Sequence, residues 1–407
     1  MEPFLTDAFA YFSDAEMANR YAKVREKMRE NNLDVLLVHG SQGIGNSPGQ
    51  VNLTYLTGYA AVMETFLVVP YDGEPTMCLA VPFHIRNARD FSYVKDIRSG
   101  WSLGEAIGRI KELKLEKGRI GLVGPGGSSG AGITLYVENY QTVISMLPDA
   151  QLENATNWFD DLRLYKSEEE IAYLRKSAKM NDLIMEDLIH YVRPGLTNRD
   201  LRRNVDVMAA RHGLTYPFAH LSAINMLDPE DCYPEFYPST RPVRNQSIIL
   251  TEFVFGYGNY WNKVWGSFFV GEPTDEYLRM FETASKVYQD TISRLKPGMT
   301  GREVNELLQP IEEAEYEQPA FFLVSGWSMM VTRPFMGTLP SNQLSKAAAE
   351  GDLDFKLTPG LALTVNVWLR IPETNKGLWI GASGVMTEKG IEILNNYPVD
   401  QLRVVGR

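Results

Sequence analysis

Cysteine is scarce in this sequence: Cys78 and Cys232 are the only two among 407 residues. Neither belongs to a CxxC pair or a Cys/His ligand set, which excludes a disulfide scaffold and a zinc finger and predicts a reducing compartment. Long hydrophobic runs are missing as well, and the segment MEPFLTDAFA is acidic, with no basic region followed by an apolar stretch. We therefore expect a soluble, cytoplasmic protein with no membrane partner.

Basic residues are fewer than acidic residues in this sequence. Lys and Arg number 40 against 51 Asp and Glu, which gives a formal net charge of −11, and no basic cluster stands out. Such a chain repels a phosphate backbone, so nucleic acid is not an expected partner. The remaining composition, 44% hydrophobic and 22% charged, is that of an ordinary folded chain long enough for two or three domains.

The first 160 residues alternate helical and strand-like patterns. Helices are predicted at 13–31 and 104–113, and strands at 34–40, 65–70, 76–82 and 119–127. This alternation favours a three-layer α/β domain over residues 1–160. The glycine-rich segment PGGSSGAG at 125–132 lacks both the Lys-Ser/Thr of a P-loop and GxGxxG spacing, so it is either a plain loop or an unusual phosphate-binding loop.

A second domain is predicted over residues 161–407, and it contains an internal near-repeat. RPGLTNRDL at 193–201 and KPGMTGREV at 296–304 align without a gap, each after a long predicted helix. In both, Pro-Gly ends one helix and Thr begins the next. The strands SIILTEFVF and LALTVNVW follow in the same order, which superposes Glu252 on Asn366. The pattern predicts two half-domains about a pseudo-two-fold axis, unless common turn residues coincide by chance.

Several segments resemble the creatinase/aminopeptidase P/prolidase superfamily, in order and over nearly the whole chain. They are NLTYLTGY at 52–59, LRLYKSEEEIAYLRKSA at 162–178, GYGNYWNKVWGSFFVG at 256–271, LTPGLALTV at 357–365 and GVMTEKGIEILNNYP at 384–398. The resemblance implies an α/β N-terminal creatinase-like domain and an α+β C-terminal pita-bread domain with a pseudo-two-fold internal repeat. It also implies a homodimer in which each N-terminal domain lies near the partner's cleft, with Glu64 on the segment that reaches across.

In the metallopeptidase branch, the resemblance implies two metal ions held by two Asp, one His and two Glu. The aligned positions here are Glu252, Lys263, Trp327, Asn366 and Gly381. Only Glu252 is a plausible ligand, and an ammonium at Lys263 repels a neighbouring cation. We expect neither a metal centre nor another cofactor.

Creatinase, a metal-free member, implies hydrolysis of a C–N bond in a small guanidino substrate by a His and glutamates. Its catalytic His falls near Glu235 to Tyr237, where this sequence has none, so creatinase activity itself is not expected. Lys263 and Glu252 are the candidate catalytic pair, because a buried ammonium can orient a carboxylate or stabilise an oxyanion. The same pair could equally be an inert ion pair.

His220 lies in YPFAHLSAIN, which resembles the strand lining the family's cleft, and by residue type it is the best general base. A structural histidine is the alternative. Candidate substrate-binding residues are Arg333 as a carboxylate clamp, Asn366, and the aromatic Tyr260 and Trp327. For Arg333 a rim salt bridge, and for the aromatic residues a core position, are the other interpretations.

The segment DPEDCYPEFYP at 228–238 combines acidic and aromatic residues. Glu235 and Tyr237 are candidates for binding an organic cation at the mouth of the site, or else belong to a solvated loop. The main hypothesis is a metal-independent hydrolase of a C–N or amide bond in a small polar metabolite, with lyase or isomerase chemistry open. The alternative is a non-catalytic binding protein derived from a metallopeptidase.

Overall fold

A computed structural model describes residues 7–41, 48–126 and 134–406 of the chain. The chain forms two compact units. One comprises Met1–Glu169 with Met329–Val331, and the other comprises Glu170–Ser328 with Thr332–Arg407. Of the glycine-rich segment, residues 127–132 lie outside the described residues. The question of phosphate binding there therefore stays a prediction.

The N-terminal unit is built from a six-stranded sheet with helices on both faces. Its elements are α1 (Asp14–Glu30), β1 (Val35–Gly40), α2 (Val51–Thr57), β2 (Thr65–Pro70), β3 (Thr76–Leu79), α3 (Ile85–Phe91), β4 (Asp96–Ser99), α4 (Ser102–Glu112), β5 (Arg119–Val123), α5 (Val137–Met146), β6 (Gln151–Asn154) and α6 (Thr156–Leu162). The strand order is β4-β3-β2-β1-β5-β6. The helix predicted from Ser13 begins where expected, because the Ser13 hydroxyl accepts a hydrogen bond from the Glu16 amide.

Alternation along the central strands explains the three layers. On β1, Val35 and Leu37 pack with α4 and α5 in one core, whereas Leu36 and Val38 pack with α1 and α2 in the other. Successive side chains of a strand point to opposite faces, so a fully apolar strand needs cover on both. The predicted three-layer α/β arrangement is what the structure has.

The C-terminal unit places a long mixed sheet against helices. Its elements are α7 (Glu168–Tyr191), α8 (Asn198–Arg211), β7 (Thr215–Asn225), β8 (Ser247–Tyr257), β9 (Tyr260–Val270), α9 (Asp275–Arg294), α10 (Gly301–Asn305), α11 (Gln309–Glu313), β10 (Val324–Trp327), β11 (Val331–Met336), α12 (Lys346–Gly351), β12 (Ala362–Arg370), β13 (Gly377–Thr387), β14 (Gly390–Ile393) and β15 (Val404–Val405). The strand order is β11-β10-β12-β13-β9-β8-β7, with β14 beside β13 and β15 beside β9.

The near-repeat of the sequence is a repeat of structure. Thr197 and Thr300 each form a capping box: the hydroxyl accepts from the amide three residues on, and Asp200 or Glu303 accepts from the Thr amide in return. Each unit then leads to a long antiparallel hairpin, β8–β9 in the first half and β12–β13 in the second. The two hairpins meet in the middle of the sheet, where Gly381 of β13 pairs with Trp265 of β9.

No helix among residues 7–41, 48–126 and 134–406 is long and apolar enough to cross a membrane.

Candidate functional site

Strand register brings the predicted catalytic residues to one face of the C-terminal sheet. Glu252 of β8 lies opposite His220 of β7 on one side and opposite Trp265 of β9 on the other. Lys263 is two residues before Trp265, so its side chain leaves β9 on the same face. Directly opposed residues share a face in an antiparallel pair, and the three side chains therefore converge.

Glu252 connects the other two residues. Lys263 Nζ lies 2.7 Å from Glu252 Oε1, and His220 Nδ1 lies 3.2 Å from Glu252 Oε2. Glu252 and Lys263 are only 4% and 5% exposed. Burial raises the pKa of the Glu252 carboxyl, but the Lys263 ammonium and the hydrogen bonds from His220 and Lys263 outweigh it, so this pKa lies below its ordinary value. Glu252 is thus an ionised carboxylate at neutral pH.

Aromatic rings surround the Lys263 ammonium. The distance from Nζ to the ring centroid is 4.5 Å for Trp327, 4.6 Å for Trp265, 5.3 Å for Phe321 and 5.4 Å for Phe218. A ring face attracts a cation within about 6 Å, more strongly where water is excluded. The aromatic shell, by which we mean these four rings, stabilises a charge that burial alone disfavours.

His220 lies between two phenylalanines. Its ring stacks on Phe218 with centroids 4.6 Å apart, and Phe236 contacts it from the loop after β7 at 4.8 Å. In the neutral imidazole, a hydrogen bond to the ionised Glu252 places the proton on Nδ1 and leaves Nε2 as an acceptor. Among the described residues the buried Nε2 atom has no hydrogen-bond partner. A carboxylate on one nitrogen and a free lone pair on the other is the arrangement of an oriented general base.

Asn366 takes part in the packing beside the shell. Its side-chain amide donates to the Phe322 carbonyl at 2.8 Å, and its oxygen accepts from the Trp379 indole at 2.9 Å. Trp379 in turn stacks on Trp368, with centroids 4.0 Å apart. Both hydrogen-bonding ends of Asn366 are therefore engaged by protein groups.

Three further candidates are not brought to the Glu252–Lys263 pair by the structure. Tyr260 is three residues from Lys263, so it lies on the opposite face of β9, where its hydroxyl donates to Glu170 at 2.8 Å. Arg333 Nε donates to Asp352 Oδ1 at 3.1 Å, which makes a salt bridge within the fold. Glu235 accepts from the amide and the hydroxyl of Ser239 at 2.7 and 2.8 Å, so its carboxylate closes its own loop.

The last two candidates, Tyr237 and Glu64, contact neighbouring residues of their own domains. Tyr237 is 82% exposed and packs on Phe236 with centroids 4.7 Å apart. Glu64, in the N-terminal unit, accepts from Ser102 at 3.3 Å and lies 3.1 Å from His39 Nε2. Its carboxylate therefore holds together elements of its own domain.

Sequence reasoning missed Trp265, Phe321 and Trp379. The sequence contained the signal for Trp265, because residues 261, 263 and 265 are spaced by two and therefore lie on the same face of a strand. Trp379 lies opposite Trp368 in the second hairpin, and a correct register would have paired them. Phe321 precedes β10 outside any strand or helix, with a φ of 60°, and no periodicity marks it.

The residues present do not fit the two-metal centre that the superfamily resemblance implies. Lys263 places an ammonium against Glu252, the one carboxylate at the five aligned positions. At Gly381, a Cβ atom would come within 2.5 Å of Asn366 Cβ and 2.6 Å of the Val365 carbonyl, so the backbone leaves no room for a longer ligand side chain. In the part of the chain that the structure describes, no three His, Cys, Asp or Glu residues form a metal-binding group.

Comparison with known proteins agrees with this architecture. Residues 172–397 match the metallopeptidase family M24, and residues 20–165 match the creatinase/prolidase N-terminal domain. The chain belongs to the M24 family and has the two-domain pita-bread architecture of the creatinase/aminopeptidase P/prolidase superfamily, which confirms the fold predicted from the sequence.

Two curated relatives and one solved structure are distant in sequence but align with this chain over nearly their full length. The chain is 22% identical to a creatinase of Bacillus sp. (strain B-0618) over 410 residues, which covers 95% of this chain and 92% of the relative. It is 22% identical to an Xaa-Pro dipeptidase of Lactobacillus delbrueckii subsp. lactis, with 91% and 95% covered. A crystal structure of recombinant prolidase from Thermococcus sibiricus superposes with a TM-score of 0.78 at 17% identity and covers 97% of this chain and all of that one.

Proposed function

We propose that this protein is a metal-independent hydrolase that cleaves a C–N or amide bond in a small polar metabolite. The observation that carries the proposal is the connected arrangement of Lys263, Glu252 and His220, with His220 Nε2 left as a buried acceptor. The peptidases, prolidases and creatinase among the relatives support hydrolysis as the reaction type.

Each residue has a defined part in the proposed reaction. Lys263 keeps Glu252 ionised, and Glu252 holds the His220 proton on Nδ1. His220 Nε2 takes a proton from a water molecule, whose oxygen forms a bond with the carbon of the scissile group. As the C–N bond breaks, the same proton passes from Nε2 to the leaving nitrogen, so His220 ends as it began. In this scheme the Lys263 ammonium also stabilises the negative charge that develops on the substrate oxygen.

The direct test follows hydrolysis by NMR. The full-length protein is incubated with EDTA and a panel of N-acylglycines, dipeptides including Xaa-Pro, and guanidino acids. We expect turnover of at least one member, unchanged by EDTA, and a loss of about 10²-fold or more in His220→Gln because a general base is removed. His190→Gln, at an exposed histidine of α7, is the matched control and keeps full activity. Turnover that requires added manganese and survives His220→Gln would contradict the proposal.

The non-catalytic alternative has an observation in its favour. The pair is almost completely buried, and the four rings of the aromatic shell occupy the space around the ammonium. A buried ion pair inside a packed aromatic cluster is also a stable way to fill a former ligand site. If every member of the panel stays intact with the wild-type protein, the binding function is the better account.

A further inference from the structure

Hydrogen-bond donors outnumber acceptors around the Lys263 ammonium. The ammonium has three N–H groups, and within the described part of the chain it contacts one acceptor, Glu252 Oε1. The indoles of Trp265 and Trp327 contact the same ammonium, and the Nε1 atom of each is buried without a hydrogen-bond partner among the described residues. On the acceptor side, His220 Nε2 is the unpartnered atom.

The excess of donors extends along the same face of the sheet. Trp261, two residues before Lys263, and Trp368, which stacks on Trp379, also have buried indole nitrogens with no partner in the described part of the chain. The Trp379 indole differs from them because its N–H has a partner: it donates to Asn366 Oδ1 at 2.9 Å. Native folds pair nearly all of their buried polar groups, so an unpaired set gathered on one face requires an explanation.

We propose that the donors of Lys263, Trp265 and Trp327 bind the carboxylate of a small organic acid that carries an amide bond, such as an N-acylated amino acid. The carboxylate oxygens accept from Lys263, Trp265 and Trp327, and the scissile amide group lies beside His220 Nε2, the atom that takes the proton from water. The proposal rests on the proposed function for the role of His220 and deepens it by naming the class of substrate.

The sign of the ligand charge follows from the same atoms. A carboxylate supplies acceptors without donors, which is what the indole N–H groups and the ammonium lack. A cationic ligand would bring further hydrogen-bond donors to a site that already has more donors than acceptors. The ring faces that would attract a cation already contact the Lys263 ammonium, 4.5 Å from Trp327 and 4.6 Å from Trp265.

The size and the approach of the ligand follow from burial. Glu252 and Lys263 are nearly inaccessible, whereas Phe236, whose ring covers His220, is 58% exposed. A ligand therefore approaches from the His220 side, and only a small one reaches the indoles. This ordering places the amide bond beside His220 and the carboxylate deeper, beside Lys263.

Indole N–H signals provide a direct test that needs no turnover. The full-length protein is labelled with ¹⁵N-tryptophan, its seven indole signals are assigned with single Trp→Phe variants, and N-acetylglycine is titrated in. We expect downfield shifts for Trp265 and Trp327 and none for Trp101, which is exposed in the N-terminal unit. The neutral N-acetylglycine N-methylamide and the cationic glycinamide should bind at least tenfold more weakly. Equal binding of the three compounds, or no shift of either indole with N-acetylglycine, overturns the proposal.

Trp→Phe variants separate the contribution of the indole N–H to binding from that of the aromatic ring. Trp327→Phe and Trp265→Phe keep an aromatic face but remove the donor, and each should weaken N-acetylglycine binding about fivefold or more, while Trp101→Phe leaves it unchanged. Unchanged binding in both shell variants contradicts the assignment. The wild-type titration stands without them if one variant fails to fold. Carboxylate binding without hydrolysis of any compound defeats the proposed function alone, whereas hydrolysis that prefers neutral amides over carboxylates defeats this inference alone.

Discussion

The hairpins β8–β9 and β12–β13 occupy equivalent places in the two halves of the C-terminal domain, but their side chains differ in kind. Glu252 in the first is opposite Trp265, and Asn366 in the second is opposite Gly381. The first hairpin carries a buried ion pair, whereas the second carries an amide bonded to Trp379 and a glycine without room for a side chain. The repeat thus preserves the backbone, while at these central positions the ionisable side chains lie on the first hairpin.

The largest expected effect comes from breaking the charge pair of the first hairpin. Lys263→Met removes the ammonium and leaves Glu252 ionised in a buried aromatic setting, so the free energy of unfolding should fall by about 3–5 kcal/mol. The double variant Glu252→Gln/Lys263→Met should lose much less, because no charge is left unpaired. Urea unfolding of the four proteins in this cycle measures the coupling.

Because Lys263 is buried, substituting it tests the stability of the fold as well as activity. A variant such as Lys263→Ala can therefore stop turnover by destabilising the fold, because it leaves the buried Glu252 carboxylate unpaired. The exposed pair of Arg175 and Glu392 is the matched control, and Arg175→Met should cost about 1 kcal/mol or less. Equal losses at the two pairs would contradict the buried-pair interpretation.

The pH dependence of the same cycle has a defined sign. The pKa of Glu252 in the folded protein lies below its ordinary value of 4.5, so its ion pair stabilises the fold at neutral pH. That contribution is lost as the pH falls from the ordinary value through the lower, folded-state pKa. The difference in unfolding free energy between wild type and Glu252→Gln should shrink over that acidic range, and a difference that stays constant down to pH 3 argues against it.

The second hairpin should respond to size rather than to charge. Gly381→Ala places a methyl group within 2.5 Å of Asn366 Cβ, so we expect a loss of about 1–3 kcal/mol from overpacking. Gly351→Ala, with no atom within 4 Å of the added Cβ, is the control and should change stability by about 0.5 kcal/mol or less. Thermal unfolding of both variants compares them, and equal melting temperatures would show that position 381 tolerates a side chain.

The sequence predicted the fold well because its signals are local and repeated. Pro-Gly-Thr segments, apolar strands and the superfamily resemblance all pointed to the same two-domain architecture. The convergence of Glu252 with Lys263 could also be predicted from the sequence, because every second residue of a strand lies on the same face of the hairpin. Tyr260 was misplaced because the same alternation was not applied to it.

Other features depended on contacts that the sequence does not announce. Asp352 engages Arg333 from 19 residues away, and Ser239 engages Glu235 within a loop whose fold is set by hydrogen bonds rather than by periodicity. Phe321 reaches the ammonium from an irregular segment. Long-range side-chain partners of this kind require the three-dimensional register, so the aromatic shell became visible only in the structure.

The smallest effects should be the same in both halves, and they sharpen the comparison. Thr197→Ala and Thr300→Ala each remove the hydroxyl of a capping box, so each should cost about 1 kcal/mol. Thr→Ser at either position keeps the hydroxyl and should restore most of the loss. If chemical denaturation gives equal costs at the two caps, alongside unequal responses of the two hairpins, then the two halves share a scaffold and differ only where side chains meet in the centre. A cost at one cap alone would mean that the halves have also diverged in how their helices begin, and the contrast between the hairpins would no longer be specific to the site.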